Sequence, residues 1–328
     1  MTKVTLLLCA VLLAILSASL ALGDYTIPLR DLLSLFVNPD EADPQQWIIV
    51  VDLRMPRVAL AMLVGAALAV AGAITQALMR NPLAEPGLLG INAGAALAAT
   101  LLIVIFTEVP PQWLPWASFG GAMLAAFAVY LLSWQHGSNS LRIVLIGVGL
   151  SALAVAATTL LTTFAPIGQA QQALIWLSGS VYLADWDGIV SLALWLLVPV
   201  IVAPLVAREL DLIRFGDAAA TSLGQRVEVT RAGLILLCAL ICGAAVAAAG
   251  PIGFVGLVAP HLARWLVGPS HMRLLPVSAL VGAQIVMLAD LAGRTVMAPA
   301  QLPAGLVTAI VGAPFFGWLL WRHRHVGS

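Results

Sequence analysis

Charge is what this sequence has least of. Asp, Glu, Lys and Arg supply 9% of its 328 residues, where a soluble domain carries about 25%. Lysine is nearly absent: Lys3 is the only one, and every other base is an arginine. A P-loop needs a lysine behind its glycines to hold nucleotide phosphates, so the chain cannot hydrolyse ATP by that route. Fifteen bases balance fifteen acids, a formal charge of 0 that leaves no basic face for nucleic acid. Cysteine is scarce as well. Cys9, Cys238 and Cys242 all fall in apolar runs; an odd number there argues against a disulfide framework, and no Cys/His spacing resembles a zinc site. Cys238 and Cys242, at i, i+4, read as small packing residues on one helix face. No cofactor or metal is expected.

Apolar residues fill the space that charge leaves. They make up 62% of the chain, with a mean hydropathy of +1.04. Runs of about 18 or more apolar residues read as spanning helices. About ten such runs are present, at 4–22, 57–79, 88–107, 113–133, 141–164, 188–207, 229–249, 252–268, 276–296 and 304–321. Most tryptophans fall at run ends, as an interfacial belt requires; Trp195 lies centrally. The expected class is an all-α membrane protein, a single domain over 1–328 embedded in a lipid bilayer. With the N-terminus inside, eleven basic residues fall on or near the cytoplasmic side and four (Arg30, Arg54, Arg57 and Arg294) outside. The positive-inside rule selects this orientation, which puts both termini in the cytoplasm. The first run has features of a signal peptide, but it is long enough to span and is read as a retained helix.

Two polar segments stand out, about 23–53 outside and 208–228 inside. The outer one, "GDYTIPLRDLLSLFVNPDEADPQQW", reads as a partly helical loop. In the inner one Asp217 can cap a short helix, Ala218 to Leu223 propagate it, and Gly224 fits the position just past its end. Such a helix is either a solvated connector or a docking element for a soluble partner. A third feature is the break "RNPLAEPGLLG" from Arg80, where two prolines and the Asn81–Pro82 pair stop one helix and Pro86 can start the next.

Energy coupling narrows the function. An ion-coupled transporter places acids near the membrane midplane. Here the acids lie in loops, except Asp290, which Arg294 at i+4 can neutralise. The histidines are scattered, and His261, inside the run "APHLARW", reads as a packing imidazole. Many helices, no nucleotide site and no coupling-ion site describe a pore driven by another subunit. The readings of another class are an ion-coupled secondary transporter and, more distantly, a membrane-bound enzyme.

Three long blocks carry a resemblance. "LRMPRVALAMLVGAALAVAGAITQALMRNPLAEPGLLGINAGAA" (53–96), "GPIGFVGLVAPHLARWLVGPSHMRLLPVSALVGAQIVMLADLAGR" (250–294) and "LPAGLVTAIVGAPFFGWLLWR" (302–322) resemble FecCD-type permeases. These are the membrane subunits of type II ABC importers for iron–siderophores, haem and cobalamin. The resemblance implies ten helices in the bacterial inner membrane and a second permease subunit, identical or different. It implies two cytoplasmic ATPase subunits that carry the hydrolysis, and a periplasmic binding protein. Arg54 and Arg294 match the outer arginines that dock the binding protein. Asn81 and Leu83 match one cytoplasmic constriction and Ser140, within "HGSNSLR", a second. The coupling helix that seats the ATPase matches Phe215, Gly216, Asp217, Ala218, Ala219, Ala220, Thr221, Ser222, Leu223 and Gly224. "LLGINAGA" and "LARWLVGPSH" look more like ferric-siderophore permeases than cobalamin ones.

Overall fold

The computed structural model describes residues 2–323 apart from 24, 39–42, 107 and 136, without the side chains of 319, 320, 322 and 323. Arg324, which enters the orientation count above, lies outside the described residues. Every regular element among the described residues is helical. In chain order they are α1 (Thr2–Ala21), α2 (Leu29–Val37), α3 (Pro44–Trp47), α4 (Met55–Leu78), α5 (Ile91–Val104), α6 (Leu114–Ser133), α7 (Ser140–Phe164), α8 (Ile167–Leu177), α9 (Trp186–Leu205), α10 (Ala207–Ile213), α11 (Asp217–Ser222), α12 (Val227–Ala249), α13 (Val255–Val267), α14 (His271–Thr295) and α15 (Ala304–His323).

Seven described segments are long and apolar enough to cross a membrane, and three shorter apolar helices, Ile91–Val104, Val255–Val267 and Ala304–Trp318, accompany them. Burial sorts the seven. The apolar windows of α4, α12 and α14 are buried over 72%, 72% and 67% of their residues, whereas those of α1, α6, α7 and α9 are buried over only 22% to 28%. The centre is therefore α4 with α12, α13 and α14 against it, and the outer helices turn broad apolar faces outward. Those faces need lipid or a second subunit to cover them.

The centre is built on glycine, because lipid offers no hydrophobic drive between helices and close backbone approach must supply the attraction. A methyl group on Gly65 of α4 would stand 2.2 Å from the Gly282 carbonyl oxygen of α14, and one on Gly72 would stand 1.9 Å from that of Gly256 in α13. Cys238 and Cys242 are fully buried on the α12 face turned to this centre, with Cys238 Sγ 3.2 Å from Thr75 Oγ1 of α4. They pack as small residues, as their spacing implied. His261 is buried with its ring edge-on to Trp265 at 4.6 Å, and Trp195 stacks on Phe119 at 4.9 Å.

Local structure departs from the sequence reading in two places. The outer segment is helical over α2 and α3, and a π-helical stretch Ile48–Arg54 leads into α4 without a break, so the helix that begins the core starts ahead of the apolar run at 57. The other difference is α8, which no apolar run announced. Its sequence IGQAQQALIWL is too short to span and opens with three glutamines, so a window tuned to spanning length passes over it.

Substitution tests the central contacts. Gly72→Ala forces α4 away from α13 and should lower the melting temperature of the detergent-solubilised protein, overpacking of this kind costing roughly 1–3 kcal/mol. Gly233→Ala in α12, where a methyl group meets nothing within 4 Å, should leave it unchanged or slightly raised. Equal melting temperatures would show that the α4–α13 approach is not a stability determinant.

Candidate functional site

One end of the bundle collects three arginines, two of them beside Asp290. Arg57, in the first turn of α4, donates from Nε to both oxygens of Asp290 in α14, at 2.8 and 3.0 Å, and from Nη1 to Gln301 Oε1 at 2.8 Å. Its Nη2 lies 2.8 Å from Asp290 Oδ1, and the guanidinium sits over the Tyr182 ring, 5.2 Å from its centre. Arg294 Nε is 3.8 Å from Asp290 Oδ2. The expected i, i+4 pair within α14 is thus present but long. The bidentate partner comes from α4, because a planar guanidinium approaching from a facing helix meets both carboxylate oxygens.

Arg54 and Arg294 have a further task. Arg54 Nη1 donates to the carbonyls of Leu20 and Ala21 at 2.6 and 3.2 Å, and Nη2 to that of Tyr25. Arg294 Nη2 donates to the Ser19 carbonyl. The carbonyls of Ser19, Leu20 and Ala21 are among those that the end of α1 leaves without a helical partner, and cations favour that end; Tyr25 lies in the segment that follows. Both arginines are buried, at 7% and 5% exposure. They nevertheless line, with Arg57, Tyr182 and Gln301, a recess of about 550 Å³ open at this end. Among the described residues that line the recess, the charged ones are Arg54, Arg57 and Arg294.

The opposite end brings the remaining expected residues together. Helix α4 stops at Leu78 in a tight cap: Arg80 N–H donates to Ala77 O and Asn81 N–H to Gln76 O, both at 3.1 Å. The left-handed position of this cap, ordinarily glycine, is held by Arg80 with φ 50. Asn81 Oδ1 accepts from Leu83 N–H at 2.9 Å, which closes the turn. Asn81 is exposed and Leu83 half-buried. Pro86–Leu89 forms a 3₁₀ turn before Gly90, at φ 75, opens α5. Burial raises the Glu85 carboxyl above its ordinary value. Ser140, at the start of α7, is buried and its hydroxyl donates to the Leu78 carbonyl at 3.0 Å. The two stretches matched to constrictions therefore touch through the last residue of α4.

Helix α11 lies at the same end. It begins at Asp217 with Gly216, at φ 99, in the capping position, and Gly224 at φ 86 follows its end. Asp217 does not cap the helix, because its carboxylate turns to Arg231 of α12 at 2.8 Å. Ala220 is fully buried, whereas Phe215 is 74% and Leu223 62% exposed, so the segment presents a small apolar face outward. The sequence reading missed Arg57 and Arg231 as structural centres. The partners of Arg57 lie 233 and 244 positions away. Arg231 has Glu228 three positions before it as a local signal, but Asp217 and Ser138 lie 14 and 93 positions away. Among the described residues no group of His, Cys, Asp and Glu could hold a metal ion.

A glycine-packed bundle of membrane-length helices, with an arginine-lined recess at one end and the α11 segment at the other, is the architecture of a multi-pass membrane protein. The chain matches the FecCD transport family over residues 9–322. It is 44% identical over 318 residues to the achromobactin transport system permease protein CbrC of Dickeya dadantii, covering 95% of this chain and 89% of that one. It is 41% identical over 328 residues to the hemin transport system permease protein HmuU of Yersinia pestis, covering 98% and 95%. The fold matches a solved inward-facing metal-chelate type ABC transporter with a TM-score of 0.86 and 30% identity, covering 98% of this chain and 100% of that one. The chain belongs to the FecCD transport family.

The Arg57–Asp290 pair should behave as a unit. Asp290→Asn strands a buried guanidinium and should destabilise the protein by roughly 3–5 kcal/mol, as removal of one member of a buried pair does. The double variant Arg57→Met, Asp290→Asn should lose clearly less than the sum of the single losses. Additive losses in a thermal-unfolding cycle would show that the two act separately.

Proposed function

We propose that this chain is the membrane-spanning permease subunit of an ATP-driven importer and forms, with a second permease subunit, the path for a ferric siderophore. The observation that carries the reading is the polarity of the bundle along α4. A recess lined by Arg54, Arg57 and Arg294 occupies one end, and the exposed apolar face of Phe215 and Leu223 occupies the other. The recess end faces the periplasm of a bacterial inner membrane, as the positive-inside rule requires with eleven of fifteen basic residues on or near the other side. It receives carboxylates of a periplasmic binding protein at Arg54 and Arg294, an electrostatic match that guides docking. Phe215–Gly224 seats one of two cytoplasmic ATPase subunits, which supply the energy that a chain with Lys3 as its only lysine has no P-loop to provide.

Asn81, Leu83 and Ser140 narrow the path at the cytoplasmic mouth. Leu83 suits a gate because apolar constrictions close by excluding water. The named cargo of two relatives, achromobactin and hemin, and the metal-chelate type of the matched structure support a chelated metal as substrate. The permease named for achromobactin is the more similar of the two. A relative from Bacillus subtilis, 40% identical over 328 residues, is named a siderophore transport system permease protein, which supports a siderophore. The hemin relative favours haem as the second reading.

Attachment of the ATPase tests the proposal. In the complex purified with its ATPase and reconstituted with its binding protein, Leu223→Glu should detach the ATPase or abolish its stimulation while the spans stay folded. Ala220 is the wrong position for this test, being buried. Uptake of ferric siderophore should stop when the catalytic glutamate of the ATPase is replaced. Uptake that continues and follows an ion gradient would overturn the importer reading in favour of a secondary transporter.

A further inference from the structure

Arg231 stands where an arginine has an easier alternative. It lies in the first turns of α12 at the docking end, close enough to the interface to extend its head group toward water, as lone arginines in membrane helices do. Its side chain is instead fully buried, with 0% exposure, while its two carboxylate partners, Asp217 and Glu228, are 42% and 40% exposed. A buried guanidinium among half-exposed acids is held inward by its partners.

Those partners belong to three separate segments. Nη2 donates to Asp217 Oδ1 of α11 at 2.8 Å. Nη1 donates to the Ser138 carbonyl at 2.6 Å and to the Ser138 hydroxyl oxygen at 2.8 Å, in the loop between α6 and α7. Nη1 also reaches Glu228 Oε1 of α12 at 3.3 Å. Ser138 in turn donates to Glu228 Oε2, from its hydroxyl at 2.6 Å and from its N–H at 3.0 Å, so its hydroxyl lone pair is free to accept from the arginine. Arg231, Ser138 and Glu228 close a ring of charge-assisted hydrogen bonds, which are short and directional. Asp217 is the tie from α11 into that ring. A lysine could not make it, because only the guanidinium fork offers separate nitrogens to two partners at fixed angles.

The ring does not end at Ser138. Two residues on, Ser140 donates to the Leu78 carbonyl, at the cap that sets the Asn81–Leu83 turn. A second arginine reaches the same place from that turn: a methyl group on Gly216 would stand 3.2 Å from Arg80 Nη1. Arg80 holds a left-handed backbone position that disfavours any residue with a Cβ. Adjacent residues, Gly216 and Asp217, are thus approached by Arg80 from the turn after α4 and by Arg231 from α12.

We propose that Arg231 is the positioning residue that transmits movement of the α11 segment to the cytoplasmic mouth, with Arg80 as the second link. This rests on the importer reading above. When the ATPase shifts α11, Asp217 draws on Arg231, Arg231 on the loop at Ser138, and Ser140 on the end of α4. The loops then respond together, and neither arginine touches the transported chelate or the nucleotide.

The test uses the whole complex, with Cys9, Cys238 and Cys242 replaced and cysteine introduced as Leu83→Cys. A membrane-impermeant maleimide, applied from the ATPase side, reports access at position 83 in the nucleotide-free and ADP–vanadate-trapped states. The parent complex should show labelling rates that differ several-fold between the states. Arg231→Gln should keep the ATPase attached and hydrolysing, yet bring the ratio of the two rates close to one. Ser138→Ala should lower the ratio part of the way, and Arg231→Lys should restore less than half of it. The proposal is overturned if Arg231→Gln and Ser138→Ala both keep the parent ratio, or if both lose the ATPase, which would make the ring only a scaffold for docking. If Arg231→Gln does not fold, the Ser138→Ala ratio decides, because that variant removes one hydroxyl and leaves the carbonyl contact in place. A parent complex that binds no ATPase, or shows no difference between states, removes the importer reading and this inference with it. Unchanged ratios in the variants alone remove only the inference.

Discussion

Backbone contact between α4 and its neighbours is the constraint on which the rest of the molecule depends. At Gly65 and Gly72 the chain of α4 meets α14 and α13 without a side chain between them. Close approach replaces the hydrophobic drive that water would supply elsewhere. It also makes α4 a straight reference through the bundle, about 36 Å long by the rise of an α-helix over its 24 residues. Everything with functional interest is fastened to one of its ends. Arg54 and Arg57 precede or open its first turn, and Leu78 to Leu83 form the cap and turn at its last.

Buried charge is used sparingly, and each instance joins elements distant in sequence. Arg57 with Asp290 ties α4 to α14 at one end; Arg264 Nη2 donates to Gln76 Oε1 at 3.0 Å and ties α13 to α4 toward the other. Arg231 ties α12 to α11 and to the loop before α7. Removing ions from water is expensive unless each partner is satisfied. The bidentate Arg57–Asp290 pair comes nearest to this, whereas Nε of Arg231 and of Arg264 is buried without a hydrogen-bond partner among the described residues. Arg54 and Arg294 illustrate a double use of the same group. Their guanidinia satisfy open carbonyls at the end of α1 and also line the adjoining recess.

The functional picture follows from division of labour among subunits. Its family places the chain among the permease subunits of ABC transporters. What this chain itself shows is geometric: long helices join the two ends of the bundle, and at the end opposite the recess two short loops meet at the Ser140–Leu78 bond.

Much was legible in one dimension because membrane helices announce themselves by composition. Long apolar runs located the seven described segments of membrane length, and Asn81–Pro82 with Pro86 located the turn after α4. The run of small residues before Gly224 located α11, although its start proved to be capped by Gly216. The sequence alone therefore determined the class, the order of the helices and the family, since these rest on local pattern and on blocks of contiguous residues. Only the tertiary structure decided which acid meets which arginine. Asp290 has an arginine four positions away and takes its bidentate partner from 233 positions earlier, and Asp217 stands where a cap is wanted and turns to Arg231. In both cases the outcome depends on the direction from which a planar guanidinium approaches a carboxylate, and that direction exists only once the helices are packed.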